Sequence, residues 1–340
     1  MIGDGMGLSQ VSAAIYSNNN RLSLEKFPVI GFHKSYSSNN LVTDSAAGAT
    51  AFSCGIKTYN NAIGVNADTL PCLTILEEAE ARNLATGLVA TSTIVHATPA
   101  AFIAHQSYRE NYEAIALDFM NTEIDLFIGG GKKFFDRRNM DDRNLIAEMR
   151  RKDYWVYDYL QADISQVRAK SNANLVYFTA DNHPLAVSSG RSYLPYASKL
   201  GVNFLRQKNE NGFFLMIEGS QIDVMGHANE GKLLISELLD FDRAISEVLE
   251  FAKKDGNTLV IVTGDHESGG MGINDNSRMN FIKPKFTTNG HTATLIPVYA
   301  YGPKAELFSG IYENTAIYHK MREALGWEIP VSPKPMSGGK

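Results

Sequence analysis

The chain has 340 residues, 44% hydrophobic and 20% charged, with a formal net charge of −5. These values are ordinary for a globular enzyme, and the length allows one large α/β domain or two smaller ones. They speak against a polynucleotide partner and a membrane span. The basic residues are scattered, the cluster "KKFFDRR" at 132–138 is broken by Asp136 and reads as a solvated loop, and no apolar run approaches the ~18 residues of a span.

The chain opens on "MIGDGMG", with no basic region or apolar core of a secretory signal before it. A Gly-Asp-Gly stretch normally ends a strand, yet only Met1 and Ile2 precede it, so the chain is expected to begin inside a longer precursor. "VIGFHKSY" (29–36) reads as a strand and "VTDSAAGATAFSCG" (42–55) as a buried helix of small residues. Thr43, Asp44 and Ser45 at its start suit a helix cap, whose oxygens accept from the free N–H groups of the first turn. The same position also suits a nucleophile, because those N–H groups and the helix dipole favour an anion. Helical spacing then appears at 72–83, a strand at 85–92, a helix at 110–121, a strand at 124–131 and a helix at 142–152. Strands follow at 174–180, 212–219, 257–265 and 294–302, with helices at 197–207 and 232–254 among them.

Several strands are continuously apolar, as expected when both faces are buried, and strand and helix alternate from end to end. The reading is an α/β three-layer sandwich, with a large, mostly parallel central sheet flanked by helices. Residues 1–330 are taken as one catalytic domain with a looser insert near 267–290, and 331–340 as a disordered tail. Cys54 and Cys72 set no disulfide framework; they could pair in an oxidising compartment, and two buried free thiols are the expected state.

In open α/β sheets, ligands bind beyond the carboxyl ends of the strands. There "FFLMIEGSQIDVMGH" releases Glu218, Asp223 and His227, "LVIVTGDH" releases Asp265 and His266, and "TTNGHTATLIPV" places His291 before its strand. "MIGDG" adds Asp4. Singly, each has a bland reading: an ion pair for Asp223 and His227, a turn for Asp265 and His266, a structural hydrogen bond for His291. Jointly, so many carboxylates on one sheet edge are costly unless cations neutralise them. Oxygen plus imidazole, without thiolate, suits Zn²⁺ and Mg²⁺.

"IGDGMG", "TDSAAGATA", "HATPAAFIAHQSYR", "EGSQIDVMGHAN", "TGDHESGG" and "NGHT" occur in that order and together resemble the alkaline phosphatase family. The resemblance implies hydrolysis of small phosphate monoesters, of broad specificity, through a phosphoserine at Ser45. It implies two Zn²⁺ and one Mg²⁺ per chain. Asp4, Asp265 and His266 would hold one zinc and Asp223, His227 and His291 the other, while Glu218 and Thr98, with Asp4 bridging, would hold the third ion. Arg109 would grip the phosphate oxygens. His96 directly precedes Ala97-Thr98 and would either hydrogen-bond an ion-bound water or ligate the ion itself. A homodimer and a periplasmic or secreted location are also implied. Relatives carry Lys, His or Trp where Val224 stands, and valine cannot hydrogen-bond phosphate. The competing readings are a phosphodiesterase, mutase or sulfatase on the same sheet, and a phosphate- or metal-binding protein without turnover.

Overall fold

The computed structural model describes residues 1–168 and 172–327. The tail at 331–340 and the last residues of the 1–330 domain lie outside the described residues. The strands are β1 (Ile2–Gly3), β2 (Val29–Lys34), β3 (Ala85–Thr93), β4 (Leu126–Gly130), β5 (Tyr154–Asp158), β6 (Asn174–Phe178) and β7 (Phe213–Gly219). They continue with β8 (Val260–Gly264), β9 (Glu267–Ser268), β10 (Gly272–Ile273), β11 (Pro284–Lys285), β12 (His291–Thr292), β13 (Ile296–Tyr301) and β14 (Gly310–Glu313). The α-helices are α1 (Leu8–Ser17), α2 (Ser45–Cys54), α3 (Ile75–Ala81), α4 (Ala97–Ala100), α5 (Tyr112–Asp118) and α6 (Lys133–Asp136). After these come α7 (Leu145–Arg151), α8 (Leu194–Lys208), α9 (Gln221–His227), α10 (Gly231–Asp255) and α11 (Ala316–Ala324).

Ten strands form one sheet in the order β14-β2-β13-β8-β1-β7-β3-β4-β6-β5. Only β13 runs antiparallel within it, pairing so with both β2 and β8. The sheet is therefore the large, mostly parallel one expected. Alternate residues along its strands feed two apolar cores. Leu88, Phe127 and Val176 pack on one face with Phe52 of α2, Leu76 of α3 and Ile317 of α11. Val89, Ile128 and Tyr177 pack on the other with Val11 of α1, Leu205 of α8 and Phe241 of α10. A chain buried on both faces needs apolar residues at every position, which is why β3 is buried throughout.

β1 lies between β7 and β8, and both pairings are parallel. The carboxyl ends of three adjacent strands thus point the same way and release Asp4, Glu218 and Asp265 together. β3, beside β7, delivers the segment that contains His96 and Thr98 to the same edge. The stretch at 267–290 holds β9, β10 and β11; β9 pairs with β12 and β10 with β11 in two small two-stranded sheets. An apolar cavity of about 410 Å³, lined by Phe213, Leu215 and Ile261 among others, opens at the opposite end of β7 and β8.

One expectation is overturned: Cys54 and Cys72 are joined as a disulfide. Cys54 ends α2, Gly55 turns the chain in the left-handed region, and the Cys72 N–H is held by the Gly64 carbonyl. The return of the chain brings the two Cα atoms to 6.0 Å, the ordinary span of such a bond. Edge strands β5 and β14 and helices α1 and α11 were not anticipated. β5 alternates buried and half-buried residues, and such a short strand lacks the continuous apolar run that marks the central ones.

Candidate active site

Asp44 is the N-cap of α2, and its Oδ1 accepts from the Ala47 N–H at 3.0 Å. Ser45 is the first helical residue, so it stands where the helix presents its free N–H groups. Every residue of α2 is buried, and a Cβ on Gly48 would come within 3.3 Å of the Asp265 side chain. The small residues of "SAAGATA" let this helix approach the strand end that carries Asp265.

Ser45 Oγ lies 3.1 Å from His266 Nε2 and donates to Asp4 Oδ1 at 3.3 Å. The same His266 nitrogen lies 3.3 Å from Asp4 Oδ1 and 3.3 Å from Asp265 Oδ2. Asp265 Oδ1 accepts from the Gly5 and His266 N–H groups, which fixes that carboxylate. Gly5 has φ +72°, and a Cβ there would fall 2.9 Å from the Asp223 Cα, so only glycine allows the turn after β1 to pass this close.

A second cluster joins Asp223, His227 and His291. His227 Nδ1 faces the Asn289 carbonyl at 2.6 Å, and His291 Nδ1 faces the Thr43 carbonyl at 2.8 Å. A carbonyl only accepts, so each Nδ1 carries the hydrogen and each neutral ring leaves its lone pair on Nε2. Those two Nε2 atoms are 3.0 Å apart. Both also face Asp223, at 3.3 Å for His227 and 3.5 Å for His291. Two lone pairs held this close repel unless a proton or a metal ion lies between them. The His291 ring stacks on His266 with centroids 3.6 Å apart, which brings the two clusters into contact.

The third group is Glu218, Thr98, His96 and Arg109. Glu218 and Thr98 are wholly buried. His96, Asp4 and Glu218 bring donor atoms to within 4.8 Å of one another. Arg109 Nη1 donates to Asp44 Oδ2 at 2.9 Å, and its Nη2 lies 3.2 Å from His96 Nε2. Asp44 thus caps α2, as its place in the sequence suggested, and also holds the guanidinium, which the sequence did not reveal.

The electrostatics follow from burial. Desolvation, then the charges of Asp265, Asp223 and Glu218, raises Asp4 well above the usual carboxylate range. Burial, opposed by the Ser220 hydroxyl and reinforced by Asp265, pushes Glu218 up to about 8. Burial, then Asp223, pushes Asp265 up to about 6. Asp223 goes the other way: burial is outweighed by the hydrogen bonds that His227 and His291 donate once protonated on Nε2, which hold it well below its ordinary value. The same contact with Asp223 pushes His227 up to about 9. Burial, then Arg109, holds His96 down to about 3.

These residues fit divalent cations. Asp4 Oδ2 and His96 Nδ1 are buried without a hydrogen-bond partner. Three ligand groups emerge: Asp223, His227 and His291; Asp4, Asp223 and His266; Asp4, His96 and Glu218. A Ser-His-Asp triad fits less well. It would need a carboxylate on His266 Nδ1, whereas that atom has the Ser268 hydroxyl at 3.4 Å and both carboxylates crowd Nε2 with the serine. Carboxylates, an imidazole lone pair and a hydroxyl aimed at one point are the donor set of a metal ion.

Beyond Asp44, the sequence reading passed over three side chains here. The Ser268 hydroxyl donates to Asp223, and Ser92 Oγ donates to Glu218 at 3.4 Å. His183 sets its ring edge-on to His96, with centroids 5.6 Å apart. Ser268 stands two residues after His266 in "DHES", and that nearness was its one signal.

The family model described as alkaline phosphatase matches residues 1–284 and 274–327. Alkaline phosphatase 3 of Bacillus subtilis strain 168 is 34% identical over 421 residues, covering 98% of this chain and 90% of its own. The alkaline phosphatase of the Antarctic bacterium TAB5 superposes with a TM-score of 0.91 at 45% identity, covering 96% of this chain and 97% of that one. A histidine-to-aspartate mutant of the TAB5 enzyme, with Mg bound in its M3 site, superposes with a TM-score of 0.89 at 44% identity over the same shares.

Proposed function

From the chain's membership of the alkaline phosphatase family, a family of phosphate-monoester hydrolases, we propose that it transfers the phosphoryl group of its substrate to Ser45 and then to water. The observation that carries this reading is the position of Ser45 Oγ, 3.1 Å from His266 Nε2 and 3.3 Å from Asp4 Oδ1 at the start of α2. The nucleophile belongs to an electron-rich pocket that becomes reactive when positive charge enters it. Asp4, Asp265 and His266 would hold one Zn²⁺, Asp223, His227 and His291 a second, and Glu218, Thr98 and Asp4 a Mg²⁺ with His96 beside it. When bound, these ions neutralise the carboxylates, favour the alkoxide of Ser45 and assist the leaving oxygen as Lewis acids.

Phosphoryl transfer asks the protein chiefly for positioning and charge complementarity. Ser45 is aimed by its place as the first residue of α2, and the N–H groups of that turn face the incoming anion. Arg109 presents a planar fork to the non-bridging oxygens, steadied by Asp44. Val224, 52% exposed beside Asp223, offers the substrate an apolar contact and no hydrogen bond. Recognition then rests on the phosphate, consistent with broad specificity. The proposal extends to a homodimer and to a periplasmic or secreted location, which the Cys54–Cys72 disulfide supports because such bonds persist in oxidising compartments.

The test compares turnover of p-nitrophenyl phosphate, bis(p-nitrophenyl) phosphate and p-nitrophenyl sulfate by the zinc- and magnesium-loaded chain. The monoester is expected to dominate. Faster turnover of the diester or the sulfate, or phosphate binding without any hydrolysis, would overturn the reading.

A further inference from the structure

Glu267 follows the candidate ligands Asp265 and His266 directly, and it is buried at 4% exposure. Its carboxylate accepts four neutral donors from three separate segments. Gln10 Nε2 reaches it from α1, and the Gly270 and Met271 N–H groups reach it from the turn after β9, at 3.1 and 3.0 Å. The fourth donor is the Thr292 hydroxyl on β12. Room for the side chain is made by Gly7, where a Cβ would fall 2.4 Å from the Glu267 Cγ. Gln10 also donates to the Ser268 carbonyl at 2.8 Å, so α1 grips β9 at two adjacent points.

The register explains what this arrangement does. β9 and β12 pair antiparallel, with Glu267 opposite Thr292 and Ser268 opposite His291. Each strand is two residues long, too short to hold its own alignment. The side-chain bond from Thr292 to Glu267 is a second link across the ladder, one residue from His291 on one strand and one residue from His266 on the other. The two imidazoles that it brackets are those stacked 3.6 Å apart.

We infer that Glu267 is a positioning residue: through Thr292 it holds His291 against His266 and so sets the spacing between the two proposed zinc sites. The inference rests on the proposed assignment of those ligands, and it predicts a selective effect. Loosening the tether frees His291, whereas His266 stays fixed by its place after β8. The ion held by Asp223, His227 and His291 should therefore leave faster, and the ion held by Asp4, Asp265 and His266 should not.

The test follows zinc release from the loaded wild-type chain and from Thr292→Val and Glu267→Gln, using a chromogenic chelator. His227→Asn identifies the phase that belongs to its site. Release from that site should accelerate about tenfold in both variants, in the range found when partners of metal ligands are removed, while the other phase keeps its rate. The metal-free Thr292→Val chain should melt within about 2 °C of wild type, which separates positioning from general destabilisation. Wild-type rates for both ions in both variants would overturn the inference, as would equal acceleration of both phases. A wild-type chain that retains no zinc overturns instead the ligand assignment beneath it.

Discussion

Glu78 and Glu218 are both wholly buried glutamates, and the fold treats them in opposite ways. Glu78, on α3, accepts from Arg82 Nη2 at 2.9 Å, from Arg322 Nε at 2.9 Å and from the Tyr318 hydroxyl at 3.3 Å. Its charge is answered by the chain, and α11 is thereby tied to α3. Glu218, at the end of β7, lies among hydroxyls and other carboxylates and is pushed up to about 8. Asp4, Glu218 and Asp265 are all wholly buried at this edge, and leaving such charges unpaired costs several kcal/mol. One cluster is complete as folded, and the other is the one proposed to be completed by cations.

That contrast is broken most severely by chelation. Removing divalent ions should abolish phosphatase activity and lower Tm by about 10 °C or more, because ligand binding is linked to folding. Thermal melts with and without chelator provide the check, and coincident curves would count against the account. Next in size, Glu78→Gln removes one side of a buried ion cluster and should cost about 3 kcal/mol in urea unfolding. The kcat and KM of the folded enzyme should not change. A loss of zinc in this variant would show that the two clusters are not independent.

Arg109→Ala should raise the inhibition constant of inorganic phosphate about 10- to 100-fold, the worth of hydrogen bonds to a charged group, without reducing zinc content. An unchanged constant would remove Arg109 from the phosphate site. The smallest effect concerns His105, which bonds the Gly64 carbonyl at 2.7 Å and Glu77 at 2.9 Å. Burial opposes its charge, but the bond to Glu77 prevails and raises it above 6.5. A histidine raised on folding gives stability that is complete below the unfolded value and lost as pH rises through the folded one. The stability gap between wild type and His105→Gln should be about 1 kcal/mol at pH 6 and should narrow as the pH rises above 6.5. A gap independent of pH would contradict the charged pair.

The sequence revealed the central strands and the motif residues because both signals are local. Continuous apolar runs mark β3, β4 and β6, and Asp4, Ser45, Asp223 and His266 each stand within a few residues of a strand end or helix start. Contacts between distant segments left no such mark. Arg109 and Asp44 are 65 residues apart, Ser268 and Asp223 are 45 apart, and Gln10 and Glu267 are 257 apart. The disulfide was missed for the same reason: what pairs Cys54 with Cys72 is the turn at Gly55 and the return of the chain past Gly64. Hydroxyls and amides that steady a charged site have many ordinary uses, so their types alone do not announce them. The converging carboxylates did leave a local mark, because three strand ends carry them within a residue or two of an apolar run.

The central claim is that Ser45 takes the phosphoryl group in this pocket. Its most direct test is to incubate the zinc- and magnesium-loaded chain with isotopically labelled phosphate at mildly acidic pH, quench it, and locate the label by peptide mass spectrometry. The account predicts label on Ser45 in wild type and none in Ser45→Ala, with activity in that variant reduced by more than about 10³-fold. Label on another residue, or wild-type turnover by Ser45→Ala, would contradict it.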